Sequence, residues 1–218
     1  MEVVMIGQGG HSKVLADIAR MDDLIKIIGY FDDKFTSMTT EDDVFFGPLS
    51  QASKIDQRNS NAKWVVAIGN NYLRKTIVKK LSFPRSKFTC LIHPSAIISP
   101  SAEIGYGTVI MPNVVINAGA KIKDHVIINT GAIVEHDTII EDFVHISPNV
   151  TLTGSVIVKE GAHIGANATV IPSKIIGDWT VIGAGSTVID SIPPFMTAVG
   201  VPAQFKTKAG DNVVEYKV

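Results

Sequence analysis

From Ile92 to Val188 the chain is aliphatic at every sixth position. The series runs Ile92, Ile98, Ile104, Ile110, Ile116, Ile122, Ile128, Val134, Ile140, Ile146, Leu152, Val158, Ile164, Val170, Ile176, Ile182 and Val188 without a slip in register. A period of six matches neither the 3.6-residue repeat of an α-helix nor the simple alternation of a strand. It fits a strand of a few residues followed by a corner, repeated so that the anchors stack inside a prism. Three hexads close one triangular coil, which predicts about five coils of a β-solenoid with successive coils roughly 4.8 Å apart. Four residues after an anchor the side chain is small or β-branched, as at Ala96, Ala102, Thr108, Val114, Ala120, Val126, Ala132 and Thr138. The repeat does not fix the hand of the coil, and the general preference for right-handed crossovers favours a right-handed one.

Ahead of this repeat the periodicity is different. The runs VVMI (3–6), IKIIGYF (25–31) and WVVAI (64–68) read as short strands. After the first, GQGGHSKVLADIAR becomes helical, with Val14, Leu15 and Ile18 as its apolar face. YLRKTIVKKL (72–81) places Leu73, Ile77 and Leu81 four residues apart on a second helix. Strands alternating with helices predict a small parallel sheet with crossovers, a Rossmann-like βαβ arrangement. Ligands of such sheets bind beyond the carboxyl ends of the strands. Three polar clusters fall there: Gly7 to His11, Asp32 with Asp33, and Gly69 with Asn70. The organisation expected is an α/β unit over 1–90, a parallel β-helix over 91–206 and a C-terminal tail over 207–218. Residues 36–48 (TSMTTEDDVFFGP) carry no pattern that assigns them.

Composition narrows the function classes. The 20 Lys and Arg nearly cancel 21 Asp and Glu, and no basic stripe is present to track a nucleic-acid backbone. The apolar runs are short and broken by Gly, Pro and charges, so no membrane span is expected. A single cysteine, Cys90, and an opening MEVVMIGQGG without a basic, then long apolar, leader point to the cytoplasm.

The polar residues inside the repeat hold the candidate chemistry. His136 lies two residues after the anchor Val134, at a corner rather than in the prism, and Asp137 follows it directly. A carboxylate beside an imidazole favours the imidazolium and raises its basicity. One coil further, at the same corner, stands Gly154, where a ligand can approach the backbone closely. His145 and His163 are also one coil apart and are expected to stack. GQGGH follows a strand and opens a helix, which makes an anion-accepting turn. Ser12 replaces the third glycine of the full dinucleotide fingerprint. Asp32 and Asp33, about twenty residues on, are placed to bond a ribose or a base.

Hexads such as IGYGTV, IGANAT and IGAGST resemble those of the hexapeptide-repeat acyltransferases, and VGVPAQFK (199–206) is similar to that superfamily's exit from the last coil. IGQGGHSKVLAD joined to such a solenoid, with FDD (31–33), AIGNN (67–71) and EHD (135–137), resembles more narrowly the NeuD/PglD sugar acetyltransferases. The resemblance implies a left-handed β-helix, a homotrimer and acetyl-CoA as co-substrate, with no metal. It implies N-acetylation of a nucleotide-linked amino sugar, a UDP-4-amino-4,6-dideoxy sugar, in polysaccharide or glycan biosynthesis. Residue by residue, it implies His136 as general base with Asp137 orienting it, although the family usually has Glu there, and the Gly154 N–H as oxyanion donor. It places His145, Ala166 and Ala184 at acetyl-CoA, and Gly9, Gly10, His11, Asp32, Asp33 and Gly69 at the nucleotide sugar. Three other readings follow from the same residues. They are an O-acetyltransferase acting on a sialic acid-type sugar, a zinc lyase like the γ-carbonic anhydrases, and a non-catalytic nucleotide-sugar sensor. The lyase reading needs three histidines, and that family's pair four residues apart has no counterpart in this chain.

Overall fold

The computed structural model describes residues 1–205; Lys206 and the tail expected over 207–218 lie outside the described residues. The N-terminal unit is built from β1 (Glu2–Ile6), α1 (Gly10–Arg20), β2 (Lys26–Phe31), β3 (Thr39–Glu41), β4 (Val44–Gly47), α2 (Ala52–Arg58), β5 (Lys63–Val66) and α3 (Asn71–Leu81). The sheet order is β3-β4-β2-β1-β5. Four strands are parallel, and β3 adds an antiparallel hairpin to the edge. The hairpin turns at Asp42 and Asp43, with φ of 47° and 63°. Two successive left-handed residues match the right-handed twist of the flanking strands, and Asp accepts that conformation more readily than most residues.

Both faces of β1 are covered, so its burial is continuous rather than alternating. Val3 and Met5 face α1 and share a core with the solenoid, while Val4 and Ile6 pack with Ile28, Phe31, Trp64 and Ile77 on the other side. Two helix faces differ from the apolar pattern. On α1 the buried residues are Ser12, Leu15, Ala16, Ile18 and Ala19, and Val14 is 42% exposed. On α3 they are Asn71, Arg74 and Ile77, whereas Leu73 is turned outward. On α3 the polar residues Asn71 and Arg74 take the places nearest the solenoid, because those places face backbone carbonyls of its coils, whereas α1 meets it with Leu15, Ala16, Ile18 and Ala19.

From Leu91–Ile92 onward the chain winds as a parallel β-helix of two-residue strands in three ladders, one of which is extended by the three-residue strand Thr197–Val199 and its antiparallel partner Gln204–Phe205. Each coil bonds to the next: Ile127 N–H donates to the Val144 carbonyl at 3.0 Å and Asn129 N–H to Ile146 at 2.8 Å. The third residue after each anchor takes a left-handed conformation from position 107 to 185. Gly, Asn, Asp and Ser hold most of these corners, and His125, Phe143 and Trp179 hold the rest. From Ile110 to Val188 the anchors are buried. The first coil departs from the expected interior, since Ile92 is 42% exposed and Ile98 and Ile104 are only partly buried. An end coil has a neighbour on one side only.

The repeat treats Ile92 and Ile146 alike, and burial separates them. Ile146→Ala is expected to cost about 2–5 kcal/mol in chemical denaturation and Ile92→Ala less than about 1.5 kcal/mol. Equal costs would mean that the first coil is covered in solution.

Candidate active site

The carboxyl ends of β1, β2 and β5 open on one cavity of about 460 Å³. Gly9, Gly10, His11, Asp32, Asp33 and Gly69 all line it, so the six residues singled out in the sequence meet there. Gly7 of the first cluster lines it too, and sequence reasoning missed the part played by Leu49 and by Leu73, Thr76 and Lys80 of α3. Gly7 is forced by packing: its φ is +99°, and a Cβ would stand 2.9 Å from Ile68 Cγ1. Gly9, Gly10 and Gly69 differ, since a Cβ on any of them would meet nothing within 4 Å. Packing does not require these three glycines, and a ligand lying close on the backbone would. The N-terminus of α1 carries no side-chain cap and no acidic residue in its first turn, which leaves its amides free for an anion at the cavity mouth. Ser12, in the place of the third glycine, is 1% exposed and small enough for close helix–strand packing.

Asp32 is partly occupied. Its carboxylate accepts from Gln8 N–H at 2.7 Å and Lys34 N–H at 3.0 Å, clamping the β1 and β2 loops together. Asp33 Oδ1 accepts from Leu49 N–H at 3.1 Å. Both aspartates therefore shape the cavity, and Asp33 keeps its second oxygen for other partners.

Behind Gly69 the α/β unit meets the solenoid. The guanidinium of Arg74, 1% exposed, donates to Ile68 and Gly69 carbonyls on one side and to His125, Phe143 and Val144 carbonyls on the other. Asn71 Nδ2 donates to Gly161 and Ala162 of the next coil. His145 Nδ1 lies 3.3 Å from the Gly69 carbonyl, and its Nε2 lies 3.3 Å from Asn129 Nδ2. His145 and His163 stack as expected, with ring centres 4.8 Å apart and planes 9° off parallel. His163 Nε2 bonds the Ser147 hydroxyl at 2.9 Å. Burial and then the Arg74 charge hold His11 down to about 4. Burial, His163 and Arg74 together hold His145 down to about 3, and burial and Arg74 also lower His163. Burial dominates at His125 too, pushing it down to about 4.

His136 stands on a separate, exposed corner. Its Nδ1 is 2.9 Å from Asp137 Oδ2, so the shorter carboxylate makes the contact. Asp137 has φ +59°, a corner conformation that aspartate adopts more readily than glutamate. Nε2 points over the next coil, where a Cβ on Gly154 would come within 2.5 Å of it. The imidazole therefore rests on the glycine, and any side chain at 154 would displace it. Among the described residues no backbone carbonyl accepts from the Gly154 amide.

Ala166 and Ala184 sit one coil apart on the corner that follows the face of His145 and His163, not on the His136 corner. Cys90 is half-buried with its thiol on the Gly105 carbonyl, and burial raises its pKa. Among the described residues no cluster of three His, Cys, Asp or Glu is placed to hold a metal ion, and no helix is long and apolar enough to cross a membrane.

Comparison with known proteins adds four matches. Residues 2–81 match the family model of the PglD N-terminal domain. The chain is 45% identical over 108 residues to UDP-N-acetylbacillosamine N-acetyltransferase of Bacillus subtilis (strain 168), a match that spans half of this chain and half of the relative's length. Among solved structures it is similar to PerB from Caulobacter crescentus in complex with CoA and GDP-perosamine, at 36% identity and TM-score 0.85, covering 95% of this chain and 98% of that one. It is also similar to the acetyltransferase domain of PglB from Neisseria gonorrhoeae in complex with acetyl coenzyme A, at 34% identity and TM-score 0.81, covering 94% and 98%. The shared solenoid is the left-handed β-helix, which overrides the right-handed expectation drawn from crossover statistics.

The four depressed histidines fix the sign of a pH effect. Each is neutral in the folded chain at pH values where its unfolded form, with a pKa near 6.5, takes up a proton. Stability is therefore complete above about pH 7 and is lost as pH falls toward the folded values, by on the order of 1–2 kcal/mol at about pH 5 for each of His11, His125 and His145, with His163 acting in the same direction. Thermal unfolding followed by circular dichroism is expected to show a Tm lower by ~5 °C or more at about pH 5 than at about pH 7.5. In the same scan, His145→Gln should flatten the slope.

Proposed function

The chain belongs to the PglD-type sugar acetyltransferases of the hexapeptide-repeat superfamily, and from that membership we propose that it transfers the acetyl group of acetyl-CoA to the amine of a nucleotide-linked amino sugar. The observation that carries this reading is the His136 imidazole, held by Asp137 at Nδ1 and laid by its Nε2 against Gly154. In this reading Asp137 keeps the proton on Nδ1, so that Nε2 is the free base. His136 Nε2 takes the proton from the sugar amine as the amine attacks the thioester carbonyl. The Gly154 N–H steadies the oxyanion of the tetrahedral intermediate. When the C–S bond breaks, the imidazolium returns its proton to the departing thiolate. The transfer is direct, because Cys90 is tied to a carbonyl and disfavoured as a thiolate.

Gly9, Gly10, His11, Asp32, Asp33 and Gly69 then hold the nucleotide sugar, with the diphosphate at the α1 amides. A 4-amino-4,6-dideoxy sugar on UDP is the acceptor we favour, for assembly of a polysaccharide or glycan in the cytoplasm. His145, Ala166 and Ala184 are assigned to acetyl-CoA. They occupy another face of the triangle and the corner after it, away from His136, which supports a homotrimer in which the corner of one copy completes the site of the next. Outward-facing, half-buried Ile133, Ile139 and Ile157 flank the His136 corner and give such a packing apolar area.

Thiol release from acetyl-CoA with UDP-linked 4-amino sugars is expected to fall about 10²–10⁴-fold in kcat for His136→Ala. Near-wild-type turnover would remove His136 from the base role. Gly154→Ala is expected to lower kcat by about 10²-fold while Tm moves by no more than ~2 °C, since the added methyl meets only an exposed side chain. The product is expected to survive mild base as an amide; an ester would point instead to the O-acetyltransferase reading.

A further inference from the structure

Arg74 has a role that domain contact alone does not explain. Its charge is taken out of water, and all six of its acceptors are neutral: five carbonyl oxygens and Asn71 Oδ1. Burial lowers its pKa only to about 9, so it remains charged at neutral pH. A buried charge is costly, and an apolar residue of similar size joins two surfaces at lower cost. A guanidinium, however, offers five N–H groups in a rigid fork. Here the fork spans four segments: the Ile68–Gly69 turn at the cavity wall, the first turn of α3, and two successive coils, one at His125 and one at Phe143 and Val144. The Gly69 carbonyl is the shared point, since it accepts from Arg74 Nη1 at 3.1 Å and faces His145 Nδ1 at 3.3 Å.

We propose that Arg74 is a positioning residue. It fixes the Gly69 wall of the substrate cavity onto the solenoid and holds the His145 ring in one tautomer, with Nδ1 donating to Gly69 and Nε2 accepting from Asn129. The geometry assigns that tautomer, because the Asn129 amide nitrogen can only donate to Nε2 and the Gly69 carbonyl can only accept from Nδ1. Every charged or titratable group facing His145 acts in the same direction. Arg74 from α3, His11 from α1 and His163 from the next coil all disfavour a proton on it. The kinetic part of the proposal rests on the acetyltransferase reading, in which His145 contacts acetyl-CoA; the tautomer does not.

The test is side-chain ¹⁵N NMR of His145 in the full chain, combined with steady-state kinetics across pH. Wild-type His145 is expected as the neutral Nδ1–H tautomer down to about pH 5, where an unperturbed histidine is almost wholly charged. In Arg74→Gln the ring stays buried but loses the guanidinium charge and the held Gly69 carbonyl, so it is expected to titrate at a higher pH than in wild type and to populate both neutral tautomers at about pH 7.5, with KM for acetyl-CoA about twofold higher than in wild type. Arg74→Lys keeps the charge and loses the fork. It is expected to leave His145 neutral while KM for the nucleotide sugar rises about tenfold at every pH. A folded Arg74→Gln with wild-type titration of His145 would overturn the proposal. So would wild-type His145 found as the Nε2–H tautomer or as the cation at about pH 6. If Arg74→Gln does not fold, the wild-type spectrum and Arg74→Lys decide. If wild-type protein releases no thiol with any nucleotide-linked amino sugar, the acetyltransferase reading fails, and the NMR arms still decide the tautomer.

Discussion

Stacking of coils in strict register is the constraint from which the candidate chemistry follows. Because each hexad places its anchor over the one a coil earlier, positions eighteen apart become neighbours about one strand spacing away. His136 reaches Gly154 and His145 reaches His163 for that reason alone. A one-residue insertion anywhere in the coil between two of them would turn anchors outward and separate the pairs. The aliphatic interior and the polar corner are thus one design feature, since the residues that stabilise the prism also place the imidazole.

The second constraint is the joint between the units, and it was not legible. Leu73, Ile77 and Leu81 gave α3 an apolar stripe, and the structure turns the helix so that Asn71 and Arg74 face the solenoid instead. A hydrophobicity pattern cannot find a helix face whose partners are backbone carbonyls at the corners of coils, because such a face must be polar to be satisfied. The β3–β4 hairpin escaped for a related reason. Thr39–Glu41 is exposed throughout, so burial imposes no alternation on it. Its one local signal is the Asp42-Asp43 pair between two β-forming stretches. The anchors and the stacked histidines were legible because each follows from a fixed period, and the strand-end clusters because each follows directly on a short β-rich run. The hand of the coil follows from no period and came from likeness to known structures.

Glycines separate packing from function more sharply than their number suggests. Gly7, Gly107 and Gly161 have positive φ and a neighbour in the place of a Cβ: Ile68, the His125 ring and the Trp179 ring. These are fold requirements. Gly9, Gly10 and Gly69 have ordinary φ and open space at the same distance, all around one cavity. A glycine that neither conformation nor packing demands is evidence for a ligand. That argument uses only this chain's geometry, and it agrees with the strand-end rule for parallel sheets.

Gly154 is the intermediate case, and it ties the corner to the chemistry. Its neighbour is not a packed core ring but the exposed tip of His136, which could swing away at little cost. The fold therefore does not require glycine at 154; the position of the imidazole does. The same holds for Asp137, whose left-handed backbone is common to the corners from 107 to 185 but whose carboxylate is turned to Nδ1. One side chain orients the ring from its own corner, and one missing side chain admits it to the next. Glycine at 154 adds nothing to the prism, and Asp137 suits its left-handed corner no better than an asparagine would, so the open space and the carboxylate are both accounted for by where Nε2 stands.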